Sequence, residues 1–308
     1  MGLVGRSVCF DSTREAFRDD RIDPTDQPAA FQMAADTERS TRMKKRFFVV
    51  LSAFGALAVT LSLVIPHALP SALALLRPDL LFSIPTSSKT VFITIDDAPS
   101  AATKDILQVL KKHGVPATFF VVSDRVSAVS QLEEIVREKH ALGNHLQTTK
   151  ACTKLTLSEF QTSFDECAAL LQSCTTPRFF RPASDFGTQE QIAYARSRGC
   201  QAVVGTIFPL DHWISDRDWL VRTSRWLAVS GGIVILHDGP VRGQTTAAVL
   251  ERLIPKLRSA GFSFSRLEEA VTGPSLPPMA KFDNQLGAKE AGAYQGTTDG
   301  SSVAPPRA

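Results

Sequence analysis

Between Thr90 and Phe264, short apolar runs alternate with stretches of helical period. TVFITI (90–95) is followed by a helical stretch from Ala102 to Lys112, with apolar Ile106, Leu107, Val109 and Leu110. Next come ATFFVV (117–122), a helix near Gln131–Lys139 stopped by HALGN, and an amphipathic helix from Ser158 to Leu171 with Ser158 as N-cap. RFFRP, a helix near Gln189–Arg198, QAVVGTIF, a helix near Trp219–Val229, GIVILH, a helix near Thr245–Ser259 and FSF complete the series. Strands this apolar are buried on both faces, and helices between them act as crossovers of a parallel sheet. The fold class is α/β, with the sheet open or closed into a barrel. Such folds gather reactive groups at the C-terminal ends of their strands.

Five strand ends carry ionisable or metal-capable side chains. Asp96 and Asp97 end the first run. His145 follows Gly143-Asn144, Arg181 ends RFF, Asp211 follows TIFP, and His237-Asp238 end GIVIL. Each is ordinary turn chemistry when taken alone, but all five together point to a site. Adjacent carboxylates are costly unless a cation or an arginine offsets them. A divalent ion held by one aspartate and a neutral histidine does so and acidifies a bound water. The second aspartate is then a general base kept ionised by the arginine, and a histidine opposite protonates the leaving group. That chemistry is metal-assisted hydrolysis of an amide or ester. His212, beside Asp211, is expected in a surface loop. Trp219 and Trp226 share one helix face and read as packing residues.

The chain of 308 residues is 44% hydrophobic and 21% charged, with a net charge of +3. The near-neutral balance gives no support for nucleic-acid binding. The one basic cluster, Arg39–Arg46, precedes an apolar run from Phe47 to Ile65, long enough for a bilayer core. The expectation is a transmembrane signal anchor at 47–69, a cytoplasmic disordered tail at 1–46 and an exported downstream part. This is a single-pass type II arrangement; the alternative is secretion after cleavage of a signal peptide starting at Met43. A Pro-containing linker covers 70–87, the folded domain 88–272, and the Gly-, Ala-, Pro- and Ser-rich stretch 273–308 reads as a second disordered tail. Export agrees with four cysteines beyond the span, Cys152, Cys167, Cys174 and Cys200, as two disulfides of open connectivity.

The motifs resemble those of the polysaccharide deacetylase family, also known as the NodB-homology or carbohydrate esterase 4 family. TIDDAPS resembles its T-F-D-D-G-P-S, and HGVPATFFVVSD its K-x-G-V-x-A-T-F-F-V-x-G. GNHLQTT resembles G-N-H-[ST]-x-x-H, RFFRPASDFG resembles F-R-P-P-x-G, and GGIVILHDG resembles G-x-I-x-L-H-D. GTIFPLDHWIS looks like the Y-P-H-D-P-x-I-x motif of a divergent branch. The resemblance spans roughly 88–272 and implies a distorted (β/α) barrel. It implies Asp96 as base, Asp97 and His145 as metal ligands, Arg181 as the partner of Asp96, and His237 as general acid. It further implies Asp211 as the acid that tunes His237, and the backbone after Pro182 as oxyanion donor. The implied metal is Zn2+, or Co2+.

The chain departs from that pattern at Thr149, where the family has its third ligand, at Leu210 in place of histidine, and in ASD after Arg181–Pro182. A threonine hydroxyl is a poor zinc ligand beside imidazole or carboxylate, so the implied metal is weakly bound. The implied function is removal of N-acetyl groups from an N-acetylglucosamine polymer such as chitin. Two alternatives stand beside it: a catalytically impaired, glycan-binding relative, and an amidase acting on a non-polymer C–N substrate. Nothing in the sequence fixes an oligomeric state.

Overall fold

The computed structural model describes residues 27–184, 186–239 and 242–270. The expected tails at 1–26 and 273–308 lie outside the described residues. The chain divides into two units, one ending at Leu63 and one beginning at Val64. In the first, the described residues are helical, the N-terminal part of α1 (Gln27–Leu76). Helix therefore begins at Gln27, within the stretch expected to be a disordered tail. The expected anchor at 47–69 also belongs to α1, yet among the described residues no helix is long and apolar enough to cross a membrane. The side chains at 56, 58, 59, 61–63 and 66, within the apolar run and just past it, are not among those described.

The second unit alternates strands and helices: β1 (Thr90–Ala98), α2 (Thr103–His113), β2 (Ala117–Val121), α3 (Ser130–Arg137), β3 (Ala141–Asn144) and α4 (Leu157–Gln172). It continues with β4 (Phe179–Phe180), α5 (Gln189–Ser197), β5 (Gln201–Ala202), α6 (Arg217–Leu227), β6 (Ile233–His237), α7 (Arg242–Ser259), β7 (Ser263–Phe264) and α8 (Leu267–Ala270). The strands are parallel in the order β5-β4-β3-β2-β1-β6, with β7 pairing the start of β1. This is the parallel α/β barrel arrangement that the alternation implies. One boundary signal differs from expectation: α4 is capped by Thr156, not Ser158. Thr156 and Glu159 form a reciprocal capping box that satisfies two amides at once, which a lone serine hydroxyl cannot match.

Side-chain alternation sorts the sheet into two faces. Val91, Ile93 and Ile95 of β1, Phe119 and Val121 of β2, and Val234 and Leu236 of β6 pack outward with Ile106, Leu110, Leu250 and Leu253 of the helices. Phe92, Phe120, Phe179, Val203 and Ile233 point inward and fill the barrel floor, joined by Leu267 of α8. Burying each such Phe or Ile contributes about 1.5–3 kcal/mol. Above this floor, the same inward face of β1 carries Thr94 and then Asp96.

The sheet edges meet where Ile207, beyond β5, bridges Val234 of β6, and a strap joins them on the N-terminal side of that bridge. Leu81 bridges Val203 beyond β5, and Ser83 bridges Gly232 before β6. The ladder is explicit in Leu81 N–H to Ala202 O (2.9 Å), Val204 N–H to Leu81 O (2.9 Å) and Ile84 N–H to Gly231 O (2.9 Å). Residues 81–84 of the expected linker are therefore part of the barrel wall. Gly231 permits this approach: its φ is +77°, and a Cβ there would lie 2.0 Å from Ile84 O.

The expected disulfides are absent among the described residues. Cys167, Cys174 and Cys200 are free thiols, and no disulfide joins any of them to Cys152. The cysteines serve as small core residues in separate places. Cys167 packs with the β1–β2 core, while Cys152 and Cys200 pack in the α4–α5 core. Burial pushes the Cys167 and Cys200 thiols up to about 12, so both stay protonated and unreactive.

Candidate active site

Each strand end delivers one side chain to the mouth of the barrel. Asp96 and His237 are direct partners in the β1–β6 register, tied by Asp238 N–H to Asp96 O at 2.8 Å. His145 extends β3, its N–H donating to Val121 O at 2.9 Å; Arg181 extends β4, its N–H donating to Asn144 O at 2.9 Å. Successive strand residues normally face opposite ways. Here the β1–β2 register shifts between Ile95 and Ala98, and Asp97 has φ +66°. That irregularity turns Asp97 back, so two adjacent aspartates face one cavity.

The cavity measures about 630 Å³ and is lined by Asp96, Asp97, His145, Thr149, Arg181 and His237. This size falls in the range typical of small-molecule and sugar sites. Asp211 stands behind His237 and reaches the cavity through it. Phe186, Phe208, Trp213 and Ile235 form an apolar wall. His212 also lines the cavity, its ring centroid 5.3 Å from that of His237. The expectation of an ordinary surface position for His212 is thus corrected: the turn that brings Asp211 under His237 carries its neighbour to the rim. Asp238, by contrast, turns away. It accepts from Ser100 Oγ (2.6 Å), Thr103 Oγ1 (2.5 Å) and Gly239 N–H (2.6 Å), tying β6 to the loop after β1.

Asp96 is buried and takes a hydrogen bond from Arg181 Nη1 at 2.5 Å. The same nitrogen donates to Thr94 Oγ1 at 2.7 Å, and the guanidinium lies over the Phe120 ring at 4.2 Å. Gly143 makes room for that ring, since a Cβ there would approach its carbons to 2.6 Å. Burial alone would raise the Asp96 carboxyl, but Arg181, with His145 and His237, outweighs it and holds the group below the usual carboxylate range. Asp96 is therefore an ionised, aimed carboxylate.

His237 is gripped by Asp211 at two points, its N–H to Oδ2 (2.8 Å) and Nδ1 to Oδ1 (2.8 Å). This pairing puts a proton on Nδ1 and leaves Nε2 for the cavity. Burial pulls the His237 pKa down, but the Asp211 bond and charge, aided by Asp96 and Asp97, raise it above that of an ordinary histidine.

The donor set around Asp97 was compared with what a divalent ion needs. His145 Nδ1 bonds Arg181 O at 2.8 Å, which leaves the Nε2 lone pair facing Asp97 Oδ1 at 3.7 Å. These two residues fit two ligand positions. The third does not fit: Thr149 lines the cavity with a neutral hydroxyl, and among the described residues no three His, Cys, Asp or Glu side chains are grouped to hold an ion. Instead, Asp97 Oδ2 faces Arg125 Nη1 at 3.7 Å and Arg242 Nη1 at 3.9 Å. Arg125 is fixed by donating to Asp97 O at 2.7 Å. The residues present do not fit a three-ligand metal centre. Both arginines lie outside the strand-end motifs, Arg125 closing a short 3-10 helix after β2 and Arg242 opening α7 after β6.

Residues 83–203 match the sequence profile of the polysaccharide deacetylase family. A chitooligosaccharide deacetylase of Bradyrhizobium sp. is 29% identical over 200 residues, covering 60% of this chain and 91% of that one. A family 4 acetyl xylan esterase from Clostridium thermocellum, solved with a cobalt ion, is 28% identical and superposes with a TM-score of 0.56 over 61% of this chain and 93% of that one. A mutant of a CE4 family pseudoenzyme with restored enzymatic activity is 25% identical, with a TM-score of 0.58 over 62% of this chain and 70% of that one. In its motifs, its matched region and its fold, this chain carries a domain similar to the polysaccharide deacetylase family.

Proposed function

We propose that the protein is a carbohydrate deacetylase that hydrolyses N-acetyl groups of a glycan containing N-acetylglucosamine. The observation that carries this reading is the pair of buried couples facing one cavity: Asp96 with Arg181, and His237 with Asp211. Asp96 takes a proton from water as the water oxygen attacks the acetyl carbonyl. The Ala183 amide, following Pro182, is the donor for the resulting oxyanion. The C–N bond then breaks, and His237 gives its proton to the leaving amine, so the products are acetate and a free amino sugar. The apolar wall receives the acetyl methyl and the sugar face. A similar acetyl xylan esterase was solved with a cobalt ion; in this chain Asp97 and His145 fit two ligand positions and Thr149 does not fit the third.

The test is acetate release from chitin oligomers by the purified full chain, followed against pH. The groups facing His237 are Asp211, Asp96, Asp97 and His212. Activity needs Asp96 ionised, so it is lost as pH falls through a lowered carboxylate pKa. It also needs His237 protonated, so it is lost as pH rises through a raised imidazole pKa. Asp211→Asn is expected to move the alkaline limb to lower pH; an unmoved limb removes His237 from the acid role. Thr149 favours a second reading, a glycan-binding protein without turnover. Oligomer binding with no acetate released would establish it.

The basic flank Arg39–Arg46 and the apolar run Phe47–Ile65 support export of this domain, on a type II anchor or after signal cleavage. In sealed vesicles the domain is expected to resist added protease until detergent is present. Digestion without detergent would put it on the cytoplasmic side.

A further inference from the structure

The cavity carries a charge arrangement that the motifs do not announce. Asp96 has Arg181, and Asp211 has His237. Asp97 has two guanidiniums on one oxygen, Arg125 at 3.7 Å and Arg242 at 3.9 Å. Both arginines line the cavity, and arginine stays charged at any pH of interest. A divalent ion on Asp97 and His145 would sit beside both of them, and like charges a few ångströms apart repel. It would also lack a third protein ligand of useful charge, since Thr149 is neutral.

We infer that Arg125 and Arg242 stand in for the divalent cation as the counter-charge of Asp97, so that this chain binds zinc or cobalt weakly. The neutral residue at 149 and the two guanidiniums then act in the same direction. Thr149 removes an attraction for the ion, and the arginines supply the positive charge that Asp97 would otherwise lack. The inference rests on reading the cavity as the deacetylase site, but its test is separate from turnover.

The test measures zinc uptake by the full chain, by metal analysis after equilibrium dialysis and by thermal unfolding with and without zinc. The unsubstituted chain is expected to hold well under one equivalent at micromolar free zinc, with no shift in its unfolding midpoint. Thr149→His and Arg242→Ala are each expected to raise zinc affinity by about 10-fold or more, with a larger gain in the double variant. Zinc should then raise the unfolding midpoint of the double variant, because a ligand that binds only the folded state stabilises it. Arg242 is the preferred target because it meets Asp97 through a loose ion pair, whereas Arg125 also holds the strand end. A full equivalent of zinc retained by the unsubstituted chain would overturn the inference. So would a gain from Thr149→His with none from Arg242→Ala, which would leave the guanidiniums without a part in metal exclusion. Acetate release is not the readout, so failure here leaves the hydrolase reading standing, and failure of that reading leaves the zinc result interpretable.

Discussion

Asp96→Asn is expected to lower acetate release by about 10²- to 10⁴-fold, the range a general base contributes. The substitution keeps the shape of the side chain. Its amide oxygen can still accept from Arg181 Nη1, now at 2.5 Å from the carboxylate, but the group can no longer take a proton from water. Measuring the rate beside the unfolding midpoint separates lost chemistry from lost fold. A rate close to that of the unsubstituted chain would assign the base to another group.

Arg181→Ala is expected to act on stability as strongly as on rate. It leaves the Asp96 carboxylate buried without its partner and removes the guanidinium from the Phe120 face. Breaking a buried ion pair on one side costs about 3–5 kcal/mol, and at about 2–4 °C per kcal/mol for a domain of this size the midpoint should drop by roughly 10 °C. The sign of the pH dependence follows from the pair. In the folded protein Arg181 depresses the Asp96 pKa, so the pair's stabilisation is present above the unfolded carboxylate pKa and is lost as pH falls through the folded one. The variant should therefore be weakest, relative to the unsubstituted chain, near neutrality, with the gap narrowing in acid. A constant gap across pH would mean that Arg181 matters through packing alone.

Much of this site was legible in the sequence because strand ends are legible. An apolar run that stops at a charged residue marks both a strand and the place where its last side chain emerges, and Asp96, His145, Arg181 and His237 were all found that way. What escaped depends on backbone detail. Nothing in TIDDAPS shows the register shift and the φ of +66° that turn Asp97 toward the same cavity as Asp96. Arg125 and Arg242 lie past the strand ends, in a short 3-10 helix and at the first turn of α7, where no apolar run marks a residue that faces the cavity. The cysteines misled because an even count beyond an apolar span suggests pairing, whereas the place of Cys167 and Cys200 as free thiols in the core shows only in three dimensions. The strap was read as a linker because its prolines and short apolar stretch resemble one, and edge pairing leaves no local sequence mark.

The strap also sets where the folding unit must begin. A chain started at Thr90 would keep every motif, yet the amides of Val204 and the carbonyls of Ala202 and Gly231 would lose their partners along both seams. Bare parallel edges are templates for a neighbouring molecule. Shortening this protein from its N-terminal side should therefore open two seams to pairing with another molecule well before any catalytic residue is touched.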